Sequence, residues 1–256
     1  MPAEKTLAIV IRTVPFGETS SVVTIYCREF GKLRALAKGA WRPKSSFDGG
    51  LDLLSISQVL VLRKSSGGLD LLTEASLERR FRVGRSYAAV LGGLHIAELL
   101  DVLTADADPH PELFDVAYAT LRRLSAWRGD DAPVAGLLLR SDLAMLRLVG
   151  HAPETACCVE CRGPLPATGR IAFGMLEGGV LCERCRSGRR AVVSLSAAAV
   201  ATLRHVLEHP TATPPPDIPP GVAGEVRAMM STYFAHLLGR PTRVAARLKP
   251  VRRRIS

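Results

Sequence analysis

Four cysteines form two pairs whose spacing suits a metal ion. They are Cys158 with Cys161 and Cys182 with Cys185, two C-x-x-C motifs separated by twenty residues. Two thiolates three positions apart can converge on one ion when the backbone between them turns tightly, and two such turns complete a tetrahedral site. Because four thiolates leave no position for a water ligand, the pattern predicts one structural Zn²⁺. The alternatives are reduced cysteines without metal, or a redox pair.

Two further cysteines lie outside these pairs. Cys157 could replace Cys158 in a C-x3-C turn, so the sequence leaves one ligand open. Cys27 falls in a predicted strand, where a free cysteine usually packs as a small apolar side chain. Since five of the six cysteines lie between positions 157 and 185, metal coordination is favoured over a disulfide framework.

The overall composition favours a polyanionic partner. The chain has 256 residues, a formal net charge of +10 and a pI near 9.8, and 47% of its residues are hydrophobic, enough for a substantial core. Neither a signal peptide nor an apolar stretch of about 18 residues is present. We therefore predict a cytoplasmic, nucleoid-associated protein that does not bind membranes.

The positive charge is concentrated towards the two ends of the chain. Residues 1–80 carry twelve basic and eight acidic residues, and residues 211–256 carry eight and two. Between positions 28 and 44 the only acidic residue is Glu29, and the basic residues are Arg28, Lys32, Arg34, Lys38, Arg42 and Lys44. Cations along a strand and its following loop lie in a row, where each can neutralise a phosphate. The alternative is a solvated basic face without a partner.

Short segments with a β-strand pattern predict a barrel that positions this basic run. Five of them are rich in Val, Ile, Leu and Thr and are separated by glycine and proline breaks; they span 7–14, 20–30, 33–38, 51–63 and 69–77. Five strands in so short a segment fit a small barrel of the OB type, which commonly binds oligonucleotides, although an SH3-like barrel has a similar pattern. We assign residues 1–80 to this barrel.

After residue 80 the apolar period changes to that of helices. Three helices are predicted before Gly150 and two after the cysteines, the last pair ending at Pro210 and near Gly239. The proline-rich segment at 211–221 predicts a surface loop. The fold class is therefore α+β: an N-terminal five-stranded barrel, then a mainly α-helical domain over 81–239 that carries a zinc ribbon at 155–190. Residues 240–256 form a basic tail that is either solvated or a second DNA contact.

Three stretches together resemble the bacterial RecO family of recombination mediators. They are GKLRALAKGAWRPKS at 31–45, LRSDLAMLRLVGHAPE at 139–154, and the two cysteine pairs with FGMLEGGVL between them. The resemblance spans nearly the whole chain, and the order of barrel, helical domain and zinc ribbon is that of the family. The run around Lys38 and Arg42 is more specific than the cysteine spacing, which many families share.

The resemblance implies a non-catalytic DNA-binding mediator. Such a protein binds single- and double-stranded DNA, anneals complementary strands, and works with RecR to exchange single-stranded DNA-binding protein for RecA. Carried over by position, Arg34, Lys38, Arg42 and Lys44 face the DNA. Trp41 stands where the family often has another arginine; it is either a stacking platform for an unpaired base or an aromatic that packs on the barrel.

Enzymatic alternatives fit the sequence less well. A zinc deaminase needs H-x-E and P-C-x-x-C, whereas Ala152 and Pro153 follow His151 and Leu181 precedes Cys182. A zinc-finger DNA glycosylase of the formamidopyrimidine type uses an N-terminal Pro-Glu, but Ala3 separates Pro2 from Glu4 here. There is no phosphate-binding G-x-x-x-x-G-K-[ST] motif either. A zinc-ribbon RNA-binding module remains the non-enzymatic alternative.

Overall fold

The structure, a computed structural model, describes residues 3–47, 49–64, 68–129, 131–211, 217–244 and 247. By its internal contacts the chain forms two compact units, Met1–Arg128 and Gly129–Ser256. The first unit holds the predicted barrel together with two helices, and the second holds the cysteine pairs. No described helix combines the length and apolarity that crossing a membrane requires.

Five strands form a closed barrel in the first unit. They are β1 (Ala3–Phe16), β2 (Ser20–Cys27), β3 (Gly31–Ala37), β4 (Ile56–Leu62) and β5 (Asp70–Arg79). The strand order is β1-β2-β3-β5-β4, with β4 paired back onto β1, and only the β3–β5 pair is parallel. A small closed barrel of five strands agrees with the OB type predicted from the sequence. The predicted 51–63 segment was too long, because Leu51 to Ser55 form turns before β4.

Branched apolar residues fill the barrel because alternate strand positions face inward. Val10, Val23, Ile25, Val59 and Val61 are all fully buried in one cluster. Cys27 belongs to the same cluster with no exposed surface, which confirms its prediction as a buried apolar side chain.

Two helices complete the first unit. Helix α1 (Tyr87–Leu103) begins after Ser86, whose hydroxyl accepts a hydrogen bond from the Ala89 N–H, and α2 (Pro111–Ser125) begins with a proline. The loop between them packs closely on the barrel: a Cβ added to Gly31 would lie 2.1 Å from the Asp108 carbonyl oxygen. Gly31 also has a φ of +68°, so both the contact and the backbone require glycine here.

The second unit combines helices with a small sheet. Its helices are α3 (Ala132–Leu148), α4 (Glu183–Arg186), α5 (Ala197–Glu208) and α6 (Pro220–Leu238), and its strands are β6 (Arg170–Gly174), β7 (Gly179–Leu181) and β8 (Val192–Ser196). The three strands pair in the order β7-β6-β8. Phe173 of β6 meets Tyr233 of α6 edge to face, with ring centroids 5.6 Å apart, which joins the sheet to the helical core.

The fold class is confirmed as α+β, with a strand-rich first part, helices and a four-cysteine cluster. The helix that ends before Pro210 and the one that ends at Gly239 both occur where they were predicted, and Gly239 adopts a left-handed φ of 65°. Helix α6 begins at Pro220, within the segment predicted as a loop, and residues 212–216 of that segment lie outside the described residues. Residues 245–246 and 248–256 of the predicted basic tail also lie outside the described residues.

Candidate nucleic-acid interface and metal centre

Strand β3 separates apolar from basic side chains by simple alternation. Leu33, Ala35 and Ala37 point into the barrel and are buried, whereas Arg34 lies on the outer face and is exposed. Lys38, the first residue of the turn after β3, is also exposed. The two cations are four residues apart in sequence. A polyphosphate strand lying along β3 could therefore contact both.

The loop after β3 continues the basic surface. Arg42 and Lys44 are exposed, and the Arg42 N–H donates to the Gly39 carbonyl at 3.0 Å in a turn. Trp41 is 59% exposed, and its indole N–H donates to Ser21 Oγ at 2.8 Å. The indole is thus fixed along one edge while much of its surface stays open to solvent.

Two other cations of the basic run are held by acidic groups of the same unit. Arg28 makes two hydrogen bonds to the carboxylate of Asp115, at 2.9 and 3.0 Å. The Lys32 ammonium, only 10% exposed, donates to the carbonyls of Asp101 and Thr104 at 2.6 and 2.8 Å. Within the described part of the chain, no such ion pair is recorded for Arg34, Lys38, Arg42 or Lys44. These four charges are therefore the part of the run available to an external anion.

A groove of about 530 Å³ lies beside β3. Its lining includes Arg34 of β3, Arg63 and Lys64 of the β4–β5 connection, and Asp70 at the start of β5. Sequence reasoning missed Arg63 and Lys64 because they fall outside the dense basic run. The signal that could have found them is the barrel itself, since the β4–β5 loop of an OB barrel commonly borders its ligand.

The four cysteine sulfurs converge in the second unit. The Sγ atoms of Cys158, Cys161, Cys182 and Cys185 all lie within 4.8 Å of one another, and Cys157 is not among them. The Cys161 and Cys182 sulfurs are 3.7 Å apart. Zinc–sulfur bonds of about 2.3 Å in a tetrahedron place sulfurs about 3.8 Å apart, so the cluster fits a metal ion of that size.

Tight turns bring each pair of sulfurs together. In the first, the Arg162 N–H donates to the Cys158 carbonyl at 2.8 Å, and Arg162 takes a φ of 58°. In the second, the Cys185 N–H donates to the Cys182 carbonyl at 3.1 Å. Strands β6 and β7 lie between the two turns in sequence and hold them in one small sheet.

The electrostatics of the cluster also suit a cation. Burial raises the pKa of the Cys158 thiol, but hydrogen bonds from the backbone N–H groups of Cys161 and its neighbours outweigh it and lower that pKa to about 6. The adjacent sulfur of Cys182 raises the pKa of Cys185 to about 12. Four sulfurs at this distance cannot all ionise without a positive charge between them, and a divalent metal supplies that charge.

Comparison with known proteins gives the same assignment over both units. A family model described as recombination protein O N terminal matches residues 1–81, and one described as recombination protein O C terminal matches residues 84–245. The chain is 41% identical over 210 residues to the DNA repair protein RecO of Rhodopirellula baltica, covering 81% of this chain and 76% of that protein. The chain belongs to the RecO family. It is also 34% identical over 256 residues to the DNA repair protein RecO of Anaeromyxobacter dehalogenans, covering 96% and 95% of the two chains.

The predicted resemblance to the RecO family is therefore confirmed, and the chain is a member of a family of recombination and DNA repair proteins. The two family models meet between residues 81 and 84, whereas the compact units divide at 128, because α1 and α2 pack with the barrel. Of the two adjacent cysteines, it is the sulfur of Cys158, and not that of Cys157, that lies with the other three.

Proposed function

We propose that this RecO family member is a non-catalytic DNA-binding mediator of repair and recombination. It binds single- and double-stranded DNA on the outer face of the barrel and anneals complementary strands. With RecR it helps to load RecA onto DNA coated by single-stranded DNA-binding protein. For that role it acts in the cytoplasm, at the nucleoid.

One observation carries this proposal: Arg34, Lys38, Arg42 and Lys44 are exposed on one strand and its following loop, and no carboxylate of the described residues pairs with them. Each of these side chains can bind a DNA phosphate and so release the counterions condensed on the DNA. Such contacts favour binding that does not depend on the base sequence. Annealing requires strands that are held but free to search for their complement. Contacts to the backbone alone leave the base edges free to pair.

We propose one Zn²⁺ at the four-cysteine cluster, held by Cys158, Cys161, Cys182 and Cys185. With four thiolate ligands it has no open coordination position for chemistry, so it stabilises the fold around the sheet β6–β8. The proposed role therefore breaks no covalent bond.

An annealing assay tests the proposal. Two complementary oligonucleotides coated with single-stranded DNA-binding protein are mixed with wild type or with the triple variant Arg34→Ala/Lys38→Ala/Arg42→Ala. We expect wild type to accelerate duplex formation and the triple variant to lose most of that acceleration. A matched control, Arg28→Ala/Arg80→Ala, removes arginines that are held by Asp115 and Asp52 and should anneal like wild type.

Two outcomes contradict the proposal. Equal loss of annealing in the triple variant and in the control would mean that the exposed run has no special role. Release of a free base from an oligonucleotide containing an oxidised purine would support the glycosylase alternative instead.

A further inference from the structure

The outer face of the barrel extends beyond the basic run, onto β1. In the strand register, Arg12 of β1 lies opposite Thr24 of β2, and Thr24 lies opposite Arg34 of β3. The Cα atoms of Arg12 and Arg34 are therefore two strand spacings apart, about 10 Å. A β-bulge between Val10 and Arg12 shifts the alternation, so that Val10 faces the core while Arg12 is exposed.

Apolar side chains follow this row of cations towards the end of the β1–β2 hairpin. Val14 of β1 lies opposite Val22, and Val22 lies opposite Leu36 of β3. Val14 is 41% exposed, and Val22 and Leu36 are half-buried. The face thus changes from polar or charged to apolar over two residues along each strand.

Two aromatic side chains flank the end of the hairpin. Phe16 is 56% exposed and lies opposite Ser20. Trp41 is held by the residues on either side of Ser20, because its backbone N–H donates to the Thr19 carbonyl at 2.9 Å and its indole N–H to Ser21. Among the described residues, neither ring stacks on another aromatic ring.

Large exposed aromatic side chains beside exposed cations suit one kind of ligand. An unpaired base offers a flat face to an aromatic ring, and stacking there tolerates any base. A duplex keeps those faces inside its own stack and offers phosphates instead. The aromatic part of this surface can therefore distinguish single strands from duplex, which its cations cannot.

We propose that Phe16 and Trp41 hold unpaired bases of a single strand whose phosphates lie on Arg12 and Arg34, and that Phe16 makes this face selective for single-stranded over duplex DNA. The inference rests on the proposed function and assigns part of its site to one substrate. Phe16 acts as a specificity residue and Arg12 as an additional phosphate contact.

Replacement of Phe16 tests the selectivity. An oligo(dT) of about a dozen nucleotides spans a typical site on such a barrel. We expect Phe16→Ala to weaken its binding by between about 5-fold and about 150-fold, the range that loss of one stacked base produces. Binding of a duplex of the same length should stay unchanged, and Phe16→Tyr should restore binding to oligo(dT).

A matched control is available in the same unit. Tyr87 is 64% exposed and is the first residue of α1. The helix is about 24 Å long, so Tyr87 lies that far from Leu103 at its other end. Tyr87→Ala should leave binding to both ligands unchanged. Because Phe16 and Tyr87 are both largely exposed, neither replacement removes a core contact, and circular dichroism confirms that each variant is folded.

Trp41 supplies a second and independent measurement. The chain has two tryptophans, so Trp127→Phe leaves Trp41 as the only indole fluorophore. We expect oligo(dT) to quench its emission by stacking, and an abasic strand of equal length and charge to leave the emission unchanged.

The possible results separate this inference from the proposed function. If Phe16→Ala weakens oligo(dT) and duplex equally or not at all, or if the abasic strand quenches Trp41 as strongly as oligo(dT) does, the stacking proposal is wrong. In that case the proposed function still stands as long as the triple variant loses DNA binding. Unchanged DNA binding in the triple variant would instead overturn the proposed function itself.

Discussion

Lys32 lies on β3 and Lys38 in the turn that follows it, and we predict that the two lysines have different roles. Both belong to the basic run, and Lys32 lies on the side of β3 that faces away from the barrel core. The Lys32 ammonium is buried against the end of α1, where it donates to the Asp101 and Thr104 carbonyls. Lys38 is exposed. Replacement of Lys32 by Met should therefore destabilise the first unit, whereas replacement of Lys38 by Met should weaken DNA binding.

The contacts of Lys32 give the expected loss in the free energy of unfolding for Lys32→Met. Methionine keeps the apolar stem but removes two charge-assisted hydrogen bonds to carbonyls, each worth roughly 1.5 to 3 kcal/mol. The nearby carboxylates of Asp101 and Asp106 are 45% and 63% exposed, so water screens their contribution and we add nothing for them. Allowing for water that reaches the freed carbonyls, we expect a loss of about 3 kcal/mol in the free energy of unfolding.

Thermal or urea unfolding measures this loss directly. A change of about 3 kcal/mol should lower the Tm by roughly 10 °C, whereas Lys38→Met should change the stability by less than about 0.5 kcal/mol. DNA binding should show the reverse, with Lys38→Met as the weaker binder. Loss of one phosphate contact should reduce the magnitude of the slope of log affinity against log salt by about 0.7 for a single strand. Equal destabilisation by the two variants, or a smaller salt slope in folded Lys32→Met, would refute the reasoning.

Three further results are expected. Cys182→Ser should lower the metal content from about one zinc per chain by elemental analysis and expose the segment around β6 and β7 to proteolysis, because three ligands bind zinc less tightly than four; full zinc content in this variant would contradict the proposed ligand set. Gly31→Ala should destabilise the first unit in urea unfolding, because its Cβ has no room beside the Asp108 carbonyl, and a stability equal to wild type would contradict that packing. Burial raises the pKa of Glu225, but hydrogen bonds from Ser196 and the charge of Arg170 lower it below the usual value. The ionised carboxylate therefore stabilises the fold at neutral pH. This stability is lost as the pH falls below about 4.5 and passes through the folded-state pKa. Glu225→Gln should lose that stability at pH 7 and show a weaker acid dependence, and an unchanged pH profile would argue against it.

The barrel could be predicted because its signals are local. Alternation in segments such as LRALAK gives both the strand and the outward direction of Arg34, and glycine breaks set the turns. The cysteine pairs are equally local, since their spacing predicts that the two pairs share one metal site. The sequence could not choose between Cys157 and Cys158, because that choice depends on which of the two adjacent side chains points towards the other three sulfurs once the turn has formed.

The other misses depend on partners that are distant in sequence. In the sequence, Lys32 looks like one more cation of the basic run. Only the packing of α1 against β3 shows that its ammonium donates to carbonyls at the end of α1. The exposure of Arg12 depends on a β-bulge in β1, which shifts the alternation without any glycine or proline to mark it. Arg63 and Lys64 join the groove through the β4–β5 connection, so their role follows from barrel closure rather than from local charge density.

The salt dependence of single-strand binding tests the central claim most directly. Wild type and the triple variant are titrated with oligo(dT) at several salt concentrations, and the logarithm of affinity is plotted against the logarithm of salt. Loss of three phosphate contacts should reduce the magnitude of the slope by about 2, while Arg28→Ala/Arg80→Ala should keep the wild-type slope. A triple variant that binds with the wild-type affinity and slope would contradict the claim that the outer face of the barrel holds the strand.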